Sequence, residues 1–318
     1  MEFKKGPGDR SRIFKMSRRE ALLLMAGMGG VFALPKIGLS QTQTQLKRAI
    51  PKGGELIPAM GMGTSRTFEV GTDPRVRKNV KEVLKHFVGM GGTLVDSSPM
   101  YGTAETVVGD LAAELGIQSK LFLATKVWTR GRKEGIRQME ESMERMRVKR
   151  IDLIQVHNLV DWKTQLETLH EWKETGRIRY VGITHYVPRA FDDLEHIMEK
   201  EDLDFVQLPY SISTRGAEKR LLPLAREKKI AVLVNRPFEK GDMFKKVRGK
   251  ALPQWVSEFD CQSWGQFFLK FILSHPDVTC AIPATSKPKH LKDNMQAGYG
   301  RLPDPTMRRK MMEYLKSI

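Results

Sequence analysis

Three apolar runs decide the fold of this chain, and each ends in polar residues: TLVDSSPMYG (residues 93–102), LFLATKVW (121–128) and IDLIQVHN (151–158). An amphipathic helical stretch separates each run from the next. Runs of this kind recur along the chain and predict eight strands, at 59–64, 93–97, 121–126, 151–157, 178–184, 205–209, 231–235 and 279–283. Strict alternation of strand and helix predicts parallel strands joined by crossover helices.

Eight such units are compatible with an open doubly wound sheet or with a closed barrel. An open dinucleotide-binding sheet should carry G-x-G-x-x-G after its first strand, but the chain has GMGTSRT at 61–67, without the third glycine. The 318 residues leave room for an α/β barrel of roughly 250 residues after a tail is removed. We therefore predict a single-domain (β/α)8 TIM barrel over residues 56–318, preceded at 41–55 by a linker that leads into it.

The first 40 residues differ in character from the rest. Arg18 and Arg19 precede an uncharged run, Ala21 to Leu34, which is shorter than the roughly 20 residues that span a bilayer. This pattern predicts a twin-arginine signal peptide at 1–40, cleaved near Ser40, and hence a periplasmic or otherwise exported protein that meets the export machinery. A leader retained as a membrane anchor is the other interpretation.

The net charge of +17 at first suggests a nucleic-acid-binding protein. The chain has no dense run of Lys and Arg interleaved with aromatic residues, so a solvated basic surface explains the charge better, and we expect no nucleic-acid partner. Cys261 and Cys280 lack metal-ligand spacing, and Cys280 lies in an apolar stretch typical of a buried, inert thiol. The scattered histidines add no metal pattern, so we expect no bound metal.

Four polar residues end the second, third and fourth strands or follow them closely: Asp96, Tyr101, Lys126 and His157. In a (β/α)8 barrel such positions converge on one mouth. Lys126 would lower the pKa of Tyr101 from about 10 toward neutrality, Asp96 would keep Lys126 charged, and His157 would hydrogen-bond a carbonyl oxygen. A site that protonates an oxygen as charge builds on it suits hydride transfer from a nicotinamide cofactor to a carbonyl carbon.

At these residues the chain resembles the aldo-keto reductase family, from about Leu56 to the C-terminus. The resemblance implies a (β/α)8 barrel that binds NADPH without a Rossmann domain and reduces an aldehyde or ketone, a small-molecule carbonyl substrate. It maps the family's Asp, Tyr, Lys and His tetrad onto the four residues above. It also implies that Trp128 and Asn158 contact the substrate.

The resemblance further implies a set of cofactor contacts. Thr184 and His185 stand where the family commonly has Ser-Asn for the carboxamide, with Gln207 as partner, and Asn235 replaces a tyrosine that stacks on the nicotinamide. In the run NRPFEKG, Arg236 would face the phosphates or form a salt bridge at the barrel rim. The other implied contacts are Pro237, Phe238 and Gly241, and an adenosine-phosphate clamp formed by Thr285, Ser286, Lys287, Asp293 and Asn294. Lys287 and Lys289 favour NADPH, while His290, where an arginine is common, leaves NADH possible.

Two other interpretations stay open. The altered residues His185 and Asn235, together with the export signal, are compatible with a nucleotide-binding sensor or partner subunit that has little turnover and depends on a redox partner. A hydrolase or isomerase using Asp96 and Glu105 would leave the other three tetrad residues without a role. The physiological carbonyl and the oligomeric state are left open by the sequence.

Overall fold

The structure is a computed structural model, and it describes residues 1–2 and 44–318 of the chain. The predicted export signal, with Arg18, Arg19 and the uncharged run, lies outside the described residues. None of the helices in residues 44–318 has the length and apolar character needed to cross a bilayer.

Residues 44–318 contain an antiparallel hairpin and one parallel sheet. The hairpin consists of β1 (Lys47–Ala49) and β2 (Leu56–Pro58). The sheet contains β3 (Met62–Gly63), β4 (Leu94–Asp96), β5 (Phe122–Val127), β6 (Ile151–His157), β7 (Ile178–Thr184), β8 (Phe205–Pro209), β9 (Ala231–Asn235) and β10 (Cys280–Ala281), each parallel to its neighbours in chain order. Bridges Met60–Ala281 and Gly63–Ala284 join its first and last strands, so the sheet is closed. The predicted (β/α)8 barrel is confirmed.

The helices between and after the strands cover the outside of the barrel. They are α1 (Pro74–Gly89), α2 (Ala104–Glu114), α3 (Arg132–Met146), α4 (Trp162–Glu174), α5 (Phe191–Lys200), α6 (Leu221–Glu227), α7 (Asp242–Lys246), α8 (Trp264–Leu273), α9 (Pro288–Gln296) and α10 (Pro305–Ser317). Helix α1 begins where the Asp73-Pro74 pair predicts, and the Asp73 carboxylate accepts a hydrogen bond from the Arg75 N–H. Its apolar face, including Val83 and Phe87, is buried against the sheet.

Alternation of side chains along each strand sorts the barrel interior into two layers. The lower layer is apolar and includes Phe122, Leu153 and Phe205. Two or four residues further along strands β5 to β9, toward the carboxyl ends, the same inward face carries polar side chains, because side chains on one face of a strand recur every two residues. This polar floor consists of Lys126, Gln155, Thr184, Gln207 and Asn235.

The hairpin begins in the stretch 41–55, where the sequence predicted only a linker, and its second strand follows directly after that stretch. Its polar sequence carries no strand signal, and a distant contact holds it in place. The Arg48 guanidinium donates hydrogen bonds of 2.5–2.8 Å to four carbonyl oxygens at and after the end of α8, those of Leu273, His275, Pro276 and Val278. Ile50, directly after β1, and Ile57, in the middle of β2, pack into the lower apolar layer. The hairpin therefore closes the amino end of the barrel, opposite the site.

The connection 239–260, between β9 and α8, is long and shows no strong helical period in its sequence. It contains α7 and two short 3-10 segments, at 239–241 and 254–259. Lys240, Gly241 and Phe244 from this connection line the cavity described below, so the connection forms part of the cavity wall. Its helices were missed because they are too short to show a helical period.

Candidate active site

The loop after β4 holds Tyr101 in place through two consecutive turns. The Tyr101 N–H donates to the Ser98 carbonyl at 3.0 Å, and the Ala104 N–H donates to the Tyr101 carbonyl at 2.9 Å. Gly102 adopts φ 50°, a left-handed backbone conformation that favours glycine at this point. The turn brings the tyrosine ring over Lys126, whose Nζ lies 5.3 Å from the ring centroid.

Asp96 and Lys126 form a buried ion pair beneath the tyrosine. Lys126 Nζ donates to Asp96 Oδ2 at 2.6 Å and to the Ser97 carbonyl at 2.6 Å. The Lys126 side chain is completely buried and that of Asp96 is 4% exposed. A buried charge with this little solvent is tolerated only because it is paired and hydrogen-bonded, so the geometry of the pair is fixed.

Side-chain amides extend this pair into a hydrogen-bonded network. Gln155 Nε2 and Gln207 Nε2 both donate to Asp96 Oδ1, at 3.0 and 2.9 Å. Gln207 Oε1 in turn accepts from Thr184 Oγ1 at 3.1 Å and from Asn235 Nδ2 at 3.3 Å. Asp96, Lys126 and three of the predicted cofactor contacts therefore belong to one network that crosses the barrel.

The charge states of Lys126 and Tyr101 differ in part from the sequence prediction. Burial lowers the pKa of Lys126, but Asp96 and Tyr101 raise it by more, so the pKa of Lys126 lies above its ordinary value. Burial raises the pKa of Tyr101. Lys126 lowers this pKa, but by less, so the net shift is upward. The expected net lowering of the Tyr101 pKa was wrong for this structure, because the ring lies deeper than its loop position suggested. The tyrosine is thus held protonated and able to donate.

His157 is neutral in this pocket. Burial lowers its pKa to about 3, with Lys126 and His185 acting in the same direction. Ser98 Oγ lies 3.2 Å from His157 Nδ1 and accepts the Met100 N–H, so its own proton is free for Nδ1. That arrangement leaves the imidazole proton on Nε2, where it can be donated into the cavity.

Replacing His157 by glutamine should reduce the loss of stability at acid pH. The unfolded chain binds a proton at His157 near pH 6.5 and the folded chain only near pH 3, so the contribution of the neutral imidazole is complete above 6.5 and is lost as the pH falls toward 3. Between about pH 7 and about pH 5, we expect the free energy of unfolding of the wild type to fall by about 2 kcal/mol more than that of the variant. Urea unfolding at both pH values measures this difference.

The exposed His290 provides the control for that measurement. His290→Gln should lose the same stability on acidification as the wild type. An equal fall for His157→Gln and the wild type would contradict a neutral, buried imidazole at 157.

These groups open into a cavity of about 810 Å³ at the carboxyl ends of the strands. Of the predicted site residues, those that line it are Asp96, Tyr101, Trp128, His157, Asn158, Thr184, Gln207, Asn235, Arg236, Pro237, Phe238 and Gly241. Lys126 lies below its floor. Both residues predicted to contact the substrate, Trp128 and Asn158, are therefore at the same opening as the tetrad.

His185 does not line the cavity. Its Nδ1 accepts hydrogen bonds from the N–H groups of Tyr186 and Val187, at 3.0 and 3.2 Å, so the ring turns back onto its own loop. Tyr186 lines the cavity instead, and it stacks on His185 with ring centroids 5.4 Å apart. The Arg236 guanidinium lies 4.1 Å from the centroid of the Tyr186 ring and forms no ion pair within the described residues, so the rim salt bridge considered for it is absent there.

The predicted clamp begins where the cavity wall ends, because Pro283 and Ala284 line the cavity and Thr285 follows them. Thr285 Oγ1 accepts the Lys287 N–H at 3.1 Å, and no side chain caps the start of α9. Asp293 is engaged elsewhere, accepting from Ser263 Oγ and Gln266 Nε2 at the start of α8. Asn294 is buried beside it.

Two unpartnered oxygens test whether a nicotinamide cofactor fits here. Asn158 Oδ1 and Asn235 Oδ1 are buried and accept no hydrogen bond from any described residue. Both belong to residues that line the cavity, Asn158 at φ 53°, a conformation rare outside glycine. A buried acceptor without a partner is costly, and a carboxamide NH₂ would satisfy it. The residues therefore fit the nicotinamide end of such a cofactor, and the clamp continues from the same cavity.

Sequence reasoning missed several members of the site. Gln155, for which no role was predicted, shares the inward face of β6 with His157, two residues away, and this spacing indicates its place in the site. Ser98 and Tyr186 lie in loops whose course the sequence did not indicate. Glu105, considered for hydrolysis, is buried outside the cavity and is bound to Thr125, Ser142 and Arg145, a structural role. Both cysteines are buried free thiols that form no disulfide bond, and burial raises the pKa of the Cys261 thiol to about 11.

Comparisons with known proteins point to one family. The model of the "Aldo/keto reductase family" matches residues 59–310. The methylglyoxal reductase YeaE of Escherichia coli (strain K12) is 27% identical over 249 residues, which is 76% of this chain and 86% of that protein.

Solved structures agree on the fold. An aldo-keto reductase from Klebsiella pneumoniae in complex with NADPH superposes with a TM-score of 0.72 at 21% identity, over 85% of this chain and 95% of that one. The holo form of the aldo-keto reductase AKR11C1 from Bacillus halodurans gives a TM-score of 0.68 at 22% identity, over 85% and 96%. Across the described part of this chain, no group of three or more His, Cys, Asp or Glu side chains is placed to hold a metal ion.

Proposed function

The chain belongs to the aldo/keto reductase family, and on this premise we propose that it reduces an aldehyde or ketone to an alcohol with NADPH as cofactor and Tyr101 as proton donor. The observation that carries the proposal is the Lys126–Asp96 pair buried beneath Tyr101, with a neutral His157 on the neighbouring strand. The relative that is named a methylglyoxal reductase supports a carbonyl substrate.

Each residue has a distinct part in this reaction. The bound cofactor supplies the hydride to the carbonyl carbon. The hydroxyl of Tyr101 donates a proton to the carbonyl oxygen as negative charge develops there, and Lys126 stabilises the phenolate left behind. His157 Nε2–H donates a hydrogen bond to the same oxygen and fixes its orientation. Asp96 keeps Lys126 charged, and Gln155 and Gln207 hold Asp96 in place.

A nucleotide titration tests the proposal. The purified full chain is titrated with NADPH and NADH by fluorescence, and then aldehydes, ketones and quinones are added while cofactor oxidation is followed. Binding followed by oxidation supports the reductase. Absence of nucleotide binding would contradict it.

We expect Lys287→Glu to weaken NADPH binding more than NADH binding. Lys287 is exposed at the uncapped start of α9, where its ammonium and the helix N-terminus together favour a phosphate group. Loss of one charge-assisted contact and introduction of a like charge should raise the Kd for NADPH by about 10-fold or more. Lys292→Glu, on the same helix and also exposed, is the control. Equal effects of the two variants on both cofactors would contradict a phosphate site at Lys287.

A second candidate is a nucleotide-binding sensor with little turnover. It is favoured by one observation: Asn235 occupies the strand end where an aromatic ring would be expected, and its Nδ2 donates to Gln207 Oε1 and to the His185 carbonyl. In the titration above, tight binding without oxidation of any carbonyl would favour this candidate.

We also propose that the chain is exported by the twin-arginine route. The support is sequence alone, Arg18 and Arg19 before an uncharged run, and a folded, cofactor-loaded barrel is the cargo this route accepts. A periplasmic reductase would then need a redox partner or a stably bound cofactor. Cell fractionation of the wild type and an Arg18→Lys/Arg19→Lys variant tests this, and an equal distribution of the two proteins would contradict it.

A further inference from the structure

Four exposed apolar side chains stand around the mouth of the cavity. Met100, Trp128, Tyr186 and Phe244 are 41%, 39%, 41% and 40% exposed, and all four line the opening. They follow β4, β5, β7 and β9 in turn. Because β5 and β9 are four strands apart in a ring of eight, Trp128 and Phe244 lie on opposite sides of the mouth. Most of the exposed large apolar side chains in residues 44–318 are therefore gathered at one opening, which marks an interaction surface.

Exposed cations follow the two opposed aromatic residues. The segments are WTRGRK (128–133) and FKKVRGK (244–250). Within the described residues, Arg132 pairs with Glu171 and Lys245 with Asp242, whereas the other cations have no ion-pair partner: Arg130, Lys133, Lys246, Arg248 and Lys250. Neither segment alone is a dense basic run, but the fold brings both to the same end of the barrel.

The proposed reaction leaves the exposed cations without a role. The proton donor and its partners lie beneath the opening, and the cofactor clamp lies after β10. Lys246, Arg248 and Lys250 do not line the cavity and so are not placed to contact a cofactor within it. A rim of apolar side chains flanked by unpaired cations remains to be explained.

We propose that this mouth docks on an anionic phospholipid surface, from which an apolar carbonyl compound enters the cavity. Aromatic rings such as those of Trp128, Tyr186 and Phe244 partition into the interface between lipid headgroups and hydrocarbon, and Lys and Arg beside them are attracted to anionic headgroups. Lysine accounts for most of the unpaired cations in 244–250. Lysine is depleted in protein–protein interfaces, so the composition favours a lipid surface over an acidic protein. Docking itself does not depend on the proposed function, whereas the substrate class does.

The first test measures binding of the full chain to vesicles. Protein is mixed with vesicles of phosphatidylglycerol and phosphatidylcholine, or of phosphatidylcholine alone, and the bound fraction is measured by flotation. We expect binding to the anionic vesicles that weakens with salt. The variant Lys246→Glu/Arg248→Glu/Lys250→Glu should bind them about 100-fold more weakly, since each cation near an anionic surface contributes roughly five-fold.

A matched control separates this surface from the overall basic charge. Lys149→Glu/Arg150→Glu/Lys229→Glu makes the same change in charge at exposed positions just before β6 and β9, at the opposite end of the barrel. It should keep most of the binding. Equal losses in the two triple variants, or no loss in the first, would overturn the proposal. A third result would also overturn it: the chain binds polyglutamate but not vesicles, and this binding depends on Lys246, Arg248 and Lys250. That result would assign the surface to an acidic protein.

A second measurement reports which part of the chain meets the lipid. The residues before 44 are identical in all variants, so differences between the variants report on the mouth. Brominated anionic lipids should quench the tryptophan fluorescence of the wild type more than that of Trp128→Phe, because Trp128 lies at the lipid interface. Equal fractional quenching in the two proteins would overturn docking through the mouth. Neither measurement uses turnover, so an inactive protein that docks would sink only the proposed function.

Discussion

Tyr101→Phe should reduce kcat for carbonyl reduction by about 100- to 10,000-fold, the range that a positioned general acid contributes. Burial keeps the pKa of Tyr101 above its ordinary value and so keeps its proton in place, while Lys126 is close enough to stabilise the phenolate that forms. Phenylalanine retains the ring but has no proton to give. The Kd for NADPH should change by less than about two-fold, because the network through Gln207 and Asn235 does not use the hydroxyl.

Tyr186→Phe is the matched control, because Tyr186 lines the same cavity and loses the same hydroxyl. Its stacking on His185 and its contact with Arg236 depend on the ring and are kept. Steady-state and single-turnover kinetics with each variant give kcat and the chemical step separately. Comparable losses in both variants would mean that Tyr101 is only one wall of the pocket, and undiminished turnover in Tyr101→Phe would remove it as the proton donor.

The polar floor of the cavity was predictable because it follows from the two-residue period of side chains along each strand. Once Ile151–His157 is a strand with one face turned inward, His157 and Gln155 must share that face, and four of the eight strands have the bounds that the sequence predicts. Strand ends in a closed parallel barrel meet at one mouth, so Asp96, Lys126 and His157 had to converge. Helix ends were equally local, since Asp73 caps the start of α1 with its own carboxylate and Gly116, just after the end of α2, adopts φ 64°.

What the sequence could not give depends on contacts between distant residues. Arg48 forms part of a strand because its guanidinium meets carbonyls some 225 to 230 positions away, and nothing in its neighbourhood signals this. The shift of the Tyr101 pKa depends on how much solvent the assembled loops exclude, which outweighs the nearby ammonium. The orientation of His185 was missed for the same reason, because the two N–H groups that hold its ring belong to a turn without a sequence signature.

Lys126→Met should destabilise the fold and abolish reduction together. Lys126 is fully buried against Asp96, and removing one partner of a buried pair leaves the carboxylate uncompensated, at a cost of about 3–5 kcal/mol. Loss of the ammonium also leaves nothing to stabilise the Tyr101 phenolate, so kcat should fall by about 100-fold or more in any protein that remains folded. Urea unfolding and turnover of the same preparation measure the two effects.

The double variant Asp96→Asn/Lys126→Met separates them. An asparagine oxygen at 96 can still accept from Gln155 Nε2 and Gln207 Nε2, the two donors that now meet Asp96 Oδ1, and the pair is replaced by neutral groups. Replacing both partners of a buried pair is nearly neutral for stability, so most of the lost free energy of unfolding should return. Turnover should stay as low as in Lys126→Met, because the ammonium is still missing. If the double variant were as unstable as Lys126→Met, the buried carboxylate would not be the cause of the instability. If the double variant regained activity, Lys126 would act only by stabilising the fold.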